Sequence, residues 1–130
     1  MDELAAAAGA DPLEFRLAHL ENPRLRAVLE TVAEKFNWKS RVKSKTPNIG
    51  IGLACGTEKG SYVAACVEIE IAKQNQIRVR HVCQSYECGA IINPDNLMKQ
   101  VHGAIIMGIG HALREEVPFD NGEIKTVSFR

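Results

Sequence analysis

Four cysteines and two histidines are the residues of this sequence best suited to bind a metal ion or to carry out redox chemistry. They are Cys55, Cys66, Cys83 and Cys88, with His81 and His102. Thiolate and imidazole are the usual ligands of zinc, but no C-x-x-C pair is present, and residues that alternate along a strand do not converge readily on one ion. We therefore predict free thiols and no bound metal. A small zinc or thiol-redox protein remains the alternative.

Other catalytic patterns are incomplete. Gly108-Ile109-Gly110 is not G-x-G-x-x-G, no Gly-Lys-Ser/Thr follows to make a phosphate-binding loop, and no serine lies in a G-x-S-x-G setting. The adjacent acids Glu115 and Glu116 fall at the end of a predicted helix, where we expect them to meet water. The residues by themselves therefore assign no catalytic group.

The stretch Cys88–Glu116 contains the strongest helix pattern. Asn93–Asp95 supplies a cap, a proline for the first helical position and an acidic first turn. Apolar residues then recur at spacings of three and four, so we predict a helix over Pro94–Leu113 that is buried on most sides. Three glycines, each costing about 1 kcal/mol against alanine, indicate close approach of a backbone or a ligand: Gly103, Gly108 and Gly110.

Further helices and strands are predicted in the rest of the chain. Helices are predicted to begin at Asp2, at Asp11-Pro12 and at Asn22-Pro23. Strands are predicted over Ile49–Cys55, Ser61–Lys73, Ile77–Gln84, Val117–Phe119 and Glu123–Phe129, with a hairpin turn at Asp120-Asn121-Gly122.

The register of the central hairpin follows from its two faces. In one register, apolar residues lie opposite each other on one face and opposite charges lie opposite each other on the other face. The four pairs are Ile71–Ile77, Ile69–Val79, Glu70–Arg78 and Glu68–Arg80. A slip by one residue spoils both faces. Cys66 does not face Cys83 in the favoured register, so we predict no disulfide between them.

The composition excludes several classes of function. The chain is 45% hydrophobic and 25% charged with a net charge of +0, which gives no general attraction to nucleic acid or an acidic membrane. We predict the basic run Lys39–Asn48 to be an exposed loop, and no aromatic residues interleave there to stack on bases. No membrane span or signal peptide is recognisable.

The expected fold class is α+β, in a single domain over residues 1–130. Residues 1–38 form the helical part. Residues 49–130 form a mainly antiparallel sheet of about four to six strands, on which the N-terminal helices and the long apolar helix pack.

Several segments resemble the molybdenum hydroxylases, the xanthine dehydrogenase and aldehyde oxidase family. The first runs Asn93-Pro94, Gln100-x-x-Gly103-Ala104, Gly108-x-Gly110 and Glu115-Glu116; the others are Asp2–Ala5 with Asp11–Arg16, and Gly60–Ala64 with Val67–Glu70. The chain especially resembles the large, molybdopterin-binding subunit of isoquinoline 1-oxidoreductase-type enzymes. The resemblance covers nearly all of the chain but only a small internal piece of that subunit.

The resemblance implies an oxidoreductase that hydroxylates N-heterocycles or oxidises aldehydes, with water as the oxygen source. It implies a molybdopterin cofactor, often in the cytosine dinucleotide form. It also implies that the amide of Gln100 contacts the cofactor, and that Gly103 and Gly108 allow close approach. Two positions depart from the family pattern: His102 is often acidic there, and Met107 is glutamine in some members.

The resemblance places the family's catalytic glutamate in a glycine-rich motif beyond Arg130. We therefore expect no catalytic residue in this chain, no cofactor bound to it alone, and no activity in isolation. The implied partners are the remainder of the large subunit and an iron–sulfur subunit, in the cytoplasm or periplasm. Uncovered apolar surface predicts self-association. A non-catalytic binding or assembly module that kept the fold is the alternative.

Overall fold

The computed structural model describes residues 1–126 and confirms the α+β class. In chain order the elements are α1 (Asp2–Ala7), α2 (Pro12–His19), α3 (Pro23–Phe36), α4 (Trp38–Ser44), β1 (Ile49–Glu58), β2 (Ser61–Ile71), a 3₁₀ turn (Lys73–Asn75), β3 (Ile77–Glu87), α5 (Pro94–Leu113), β4 (Phe119–Asp120) and β5 (Glu123–Ile124). The chain divides into two compact units, Met1–Ala90 and the part from Ile91 onward.

Asp or Asn followed by proline starts three of the helices, as predicted. The side chain of each cap accepts hydrogen bonds from backbone N–H groups of the first turn: Asp11 from Leu13 and Glu14, Asn22 from Arg24 and Leu25, and Asn93 from Asn96. Proline follows each cap, where its missing N–H is not needed. Helix α1 differs, because Asp2 is its first residue rather than its cap, and the carboxylate of Asp2 pairs with Arg16 at 2.6 Å.

Helix α3 packs on the antiparallel sheet β1-β2-β3 and forms the core of the first unit. Its buried face meets buried residues of β1 and β2: Val28, Leu29, Val32, Ala33 and Phe36 against Leu53, Ala64 and Cys66. Burying one large apolar side chain contributes about 1.5–3 kcal/mol. This interface therefore supplies much of the stability of the first unit.

The hairpin of β2 and β3 follows the predicted register near its turn and departs from it at a β-bulge. Ile71–Ile77, Glu70–Arg78 and Ile69–Val79 are partners, as predicted. The register shifts between Glu68 and Ile69, so that Glu68 faces His81 instead of Arg80, and Cys66 faces Cys83. The predicted separation of the two cysteines was wrong, because alternation of side chains does not reveal an extra residue in one strand. All four cysteines carry free thiols.

Residues 39–44, which belong to the predicted exposed loop Lys39–Asn48, form helix α4 together with Trp38 instead. Asn37 turns the chain between α3 and α4 in the left-handed conformation, at φ 58°, which asparagine tolerates. Trp38 is buried at the start of the helix. Arg41 donates from Nε to the backbone oxygen of Phe36 at 2.7 Å and pairs through Nη1 with Glu68 of β2. Tertiary contacts such as these override a weak local pattern.

The second unit contains α5 and the hairpin β4–β5. Asn121 and Gly122 have φ of 50° and 83°, the left-handed values that a tight hairpin needs, so the predicted turn is confirmed. The predicted strand Glu123–Phe129 is observed over Glu123–Ile124, and its residues from 127 onward lie outside the described residues. The five described strands form sheets of three and two strands, rather than the single larger sheet expected.

Helix α5 runs over the predicted residues, but the expectation that it is buried on most sides was wrong. No residue of α5 is buried, and Ile106 and Met107 are 69% and 63% exposed. The apolar pattern identifies side chains that favour burial, but it does not show whether another part of the structure covers them. Despite this apolar character, no helix in the described part of the chain is long and apolar enough to cross a membrane.

Candidate functional site

One face of α5 contains Gln100 and Gly103, two of the three residues that the resemblance assigns to the cofactor. At about 100° per residue, this face also includes Ala104, Met107 and His111. Gln100 is exposed and Gly103 is half-buried. Gly108 lies about 80° around the helix from Gln100, at the edge of this face. The structure therefore places Gln100 and Gly103 side by side and Gly108 to one side of them.

The glycines leave open space beside Gln100. Apart from the adjacent residues and the surrounding backbone of α5, a Cβ atom added to Gly103 or Gly108 would meet no atom of the second unit within 4 Å, whereas one on Gly110 would lie 3.3 Å from Oε1 of Glu115. An amide both donates and accepts hydrogen bonds, so Gln100 suits the alternating polar edge of a pterin. Because Gly103 has no side chain, a flat ring system can approach the helix backbone on that side of the amide. This face of α5 therefore fits the implied cofactor in its chemistry.

His111 belongs to the same face and was missed by sequence reasoning. Its Nε2 lies 3.3 Å from Oε2 of Glu115, one turn further along. The available signal was its position about three helical turns after Gln100. Its polar ring therefore marks the C-terminal end of the face that begins near Gln100.

Burial changes the pKa values of two thiols in the first unit. Burial and, to a smaller extent, the neighbouring Cys83 raise the pKa of Cys66 to about 11, and the guanidinium of Arg16 opposes both effects. Burial also raises the pKa of Cys55, again opposed by Arg16. Because the thiolate is the nucleophile and the metal ligand, these raised pKa values slow the reactions of both thiols at neutral pH and let them react faster in alkaline solution.

The buried thiol of Cys66 makes stability depend on pH in alkaline solution. A thiol with a pKa of about 11 when folded and 9.0 when unfolded retains its proton longer in the native state. Its contribution is fully present below pH 9 and is lost as the pH rises towards 11. We expect the wild-type chain to lose about 2–3 kcal/mol across this window that Cys66→Ala does not lose. Urea unfolding of both proteins at pH values spanning the window measures this difference, and parallel curves would contradict the assignment.

Charged and aromatic groups meet beside the bulge, a cluster that sequence reasoning missed because Arg41 fell in the predicted loop. The carboxylate of Glu68 pairs with Arg41 and lies 3.9 Å from Nε of Arg80. The guanidinium of Arg41 lies 4.6 Å from the ring centroid of Phe36, and its Nη2 is 3.4 Å from Nδ1 of His81. These contacts join α4 to β2 and β3.

No group of three or more histidine, cysteine, aspartate or glutamate side chains in residues 1–126 is placed to hold a metal ion. Cys66 and Cys83 face each other across two strands, and no third ligand joins them.

The family model for a molybdopterin cofactor-binding domain matches residues 32–130. The matched span begins within α3 and includes the whole three-stranded sheet and all of α5. It therefore covers each of the three residues that the resemblance assigns to the cofactor.

Curated proteins similar to this chain are parts of oxidoreductases. The chain is 34% identical to the beta subunit of isoquinoline 1-oxidoreductase from Brevundimonas diminuta over 131 residues, 99% of this chain and 17% of that protein. It is 25% identical to a subunit of the nicotinate dehydrogenase of Pseudomonas putida, covering 95% of this chain and 12% of that protein.

A third similar protein is the molybdenum-binding subunit of an aldehyde oxidoreductase from Escherichia coli O157:H7. It is 27% identical over 123 residues, which are 91% of this chain and 16% of that protein. The chain thus spans 12–17% of the length of these three relatives. No solved structure matched the chain.

Proposed function

Because the chain belongs to the molybdopterin cofactor-binding domain family, we propose that it forms part of the cofactor site in the large subunit of a molybdenum hydroxylase. The observation that carries the proposal is the family match over residues 32–130, which includes all of α5. In this proposal the two units of the chain are an internal piece of one molybdopterin-binding domain.

Gln100 is the proposed polar contact to the cofactor. Its side chain is exposed on α5, and its amide can donate to and accept from pterin or pyrophosphate groups. Gly103 allows those groups to approach the helix backbone beside Gln100, and Gly108 does so at the edge of the same face. A cytosine dinucleotide form of molybdopterin is the proposed variant, in keeping with the enzymes that the chain resembles.

The proposed reaction is hydroxylation of an N-heterocycle or oxidation of an aldehyde, with water as the oxygen source. Two of the relatives are named for isoquinoline and nicotinate, both N-heterocycles, and a third for aldehydes. The bound cofactor would supply the redox chemistry, and the protein would bind and orient it. The chain contributes no proposed catalytic base, so we expect it to be inactive without the remainder of the large subunit.

The proposed partners are that remainder and an iron–sulfur subunit that accepts the electrons. Large apolar side chains of the second unit are exposed in the described structure: Ile92 at 97%, Phe119 at 76% and Ile106 at 69%. Large apolar side chains that are exposed in this way can mark sites of protein contact. Contact with the remainder of the large subunit would bury these side chains.

Substitution of Gln100 tests the proposed contact. In a graft, this chain would replace the aligned segment of the Brevundimonas diminuta relative. The graft would be produced together with its iron–sulfur partner in a host that makes the cofactor. We expect Gln100→Ala to weaken cofactor retention about ten- to a hundredfold, because hydrogen bonds to charged groups contribute about 1.5–3 kcal/mol. Molybdenum by mass spectrometry and pterin by fluorescence after oxidation measure retention through stepwise dilution.

The matched control is His102→Ala, because His102 is exposed on the opposite face of the same helix. It should retain the cofactor as the unsubstituted graft does. Equal losses in the two variants would contradict the role of Gln100. A graft that binds its iron–sulfur partner but contains no molybdenum would contradict the proposed function itself.

A further inference from the structure

Cys66 and Cys83 are direct partners in the antiparallel pairing of β2 with β3. Both side chains lie on the face of the sheet that α3 covers. Cys66 belongs to the core cluster, and Cys83 packs against it. The bulge between Glu68 and Ile69 creates this pairing, since without it the two cysteines would be out of register.

The backbone spacing at such a pair suits a covalent bond between the sulfurs. Directly opposite residues of antiparallel strands have Cα atoms about 4.5–5.5 Å apart, and disulfides span Cα distances of about 4.4–6.8 Å. Cys55 instead faces Ala64 across β1 and β2, and Cys88 follows the end of β3. Among the residues described, Cys66 and Cys83 are therefore the two thiols that strand pairing brings together.

The two thiols differ in their access to solvent, which gives them different roles. Cys83 is partly exposed, and Cys66 is fully buried. A small soluble oxidant therefore reaches Cys83 first. Cys66 is then positioned to attack the oxidised sulfur from the neighbouring strand, as a resolving cysteine does.

We propose that Cys66 and Cys83 form an oxidation site, at which a peroxide closes a disulfide between β2 and β3. The sulfur of Cys83 attacks hydrogen peroxide, the O–O bond breaks, and a sulfenic acid and one water are formed. The sulfur of Cys66 then attacks the sulfenic sulfur, the S–O bond breaks, and a second water leaves. The two thiols lose two protons and two electrons, and one peroxide becomes two waters.

Peptide mapping after oxidation tests the site on the complete 130-residue chain. The chain is treated with hydrogen peroxide, alkylated, and cleaved after glutamate without reduction. Cleavage after glutamate places each cysteine on its own peptide, since Glu58, Glu68 and Glu87 separate the four. We expect an intact mass lower by two hydrogens and a linked pair formed by the peptides 59–68 and 71–87. Dithiothreitol should restore both free peptides.

Variants distinguish a paired site from general thiol oxidation. Cys83→Ser should leave Cys66 reduced under the same treatment, whereas Cys55→Ser, the matched control on β1, should form the linked peptides as the wild type does. Oxidation of Cys83 to sulfinic acid in the wild-type protein, with Cys66 still alkylated, would overturn the proposal, as would a link to Cys55 or Cys88. These wild-type readings do not depend on the folding of either variant.

Discussion

Phe36→Ala is expected to lower the free energy of unfolding by about 3–5 kcal/mol, as truncation of a buried aromatic residue does. Phe36 is fully buried at the end of α3. Its ring lies 6.2 Å from that of Trp38 and stacks on His81 at 5.5 Å, with the guanidinium of Arg41 above it. Removing the ring therefore leaves a cavity between α3, α4 and β3, which chemical denaturation monitored by circular dichroism would measure.

Phe119→Ala is the matched control for this truncation. Phe119 is 76% exposed, and substitutions at exposed positions usually change stability by no more than about 0.5 kcal/mol. A loss below about 1 kcal/mol for Phe36→Ala, far under the range for buried aromatics, would contradict the position of this ring at the centre of the first unit.

Asp11→Ala is expected to lower the free energy of unfolding by about 2–4 kcal/mol through two lost contacts. The carboxylate caps α2 by accepting from the backbone N–H groups of Leu13 and Glu14, at 2.8 and 3.2 Å. It also accepts from Nε1 of Trp38, whose side chain is buried, at 3.1–3.2 Å. Alanine removes the cap and leaves the indole N–H without its partner. Urea denaturation followed by Trp38 fluorescence measures the loss.

Asp11→Asn and Trp38→Phe separate the two contributions. Asparagine caps helices about as well as aspartate and keeps an oxygen for the indole, so Asp11→Asn should retain most of the stability. In a Trp38→Phe background, Asp11→Ala should cost only the cap, about 1 kcal/mol. Equal costs in both backgrounds, measured by circular dichroism, would show that the contact between Asp11 and Trp38 contributes nothing.

Local chemistry predicted the helix starts well. Asp11, Asn22 and Asn93 each stand before a proline, and each caps the helix that was predicted to begin there. The reason is that capping and the fixed φ of proline act within a few residues of the chain. The same holds for the turn at Asn121-Gly122, where the required backbone angles select the residues.

Features that depend on distant residues were predicted less well. Helix α4 lacks apolar periodicity and is held by Trp38 in the core and by Arg41 against Glu68. The bulge beside Glu68 inserts one residue into an otherwise regular alternation and so moves Cys66 opposite Cys83. Neither the helix nor the bulge can be predicted from the local sequence, because the contacts that stabilise each of them come from other elements.

The candidate site was predicted only in part. Spacing alone identified α5 and its unusual glycines, and the assignment of Gln100 came from the resemblance to molybdenum hydroxylases. The structure adds that Gln100, Gly103 and His111 share a face, while Gly108 lies at its edge. It also shows open space over Gly103 and Gly108 within the second unit, where the sequence had predicted close approach of a backbone or a ligand.

Molybdenum and pterin content, measured in parallel on the isolated chain and on the chain grafted into its Brevundimonas diminuta relative, tests the central claim most directly. We predict neither component on the isolated chain and stoichiometric amounts of both on the graft, because the chain is proposed to supply one part of the site. Molybdenum with pterin on the isolated chain would contradict the proposal that the site is incomplete. Their absence from a folded graft that binds its iron–sulfur partner would contradict the cofactor-binding role.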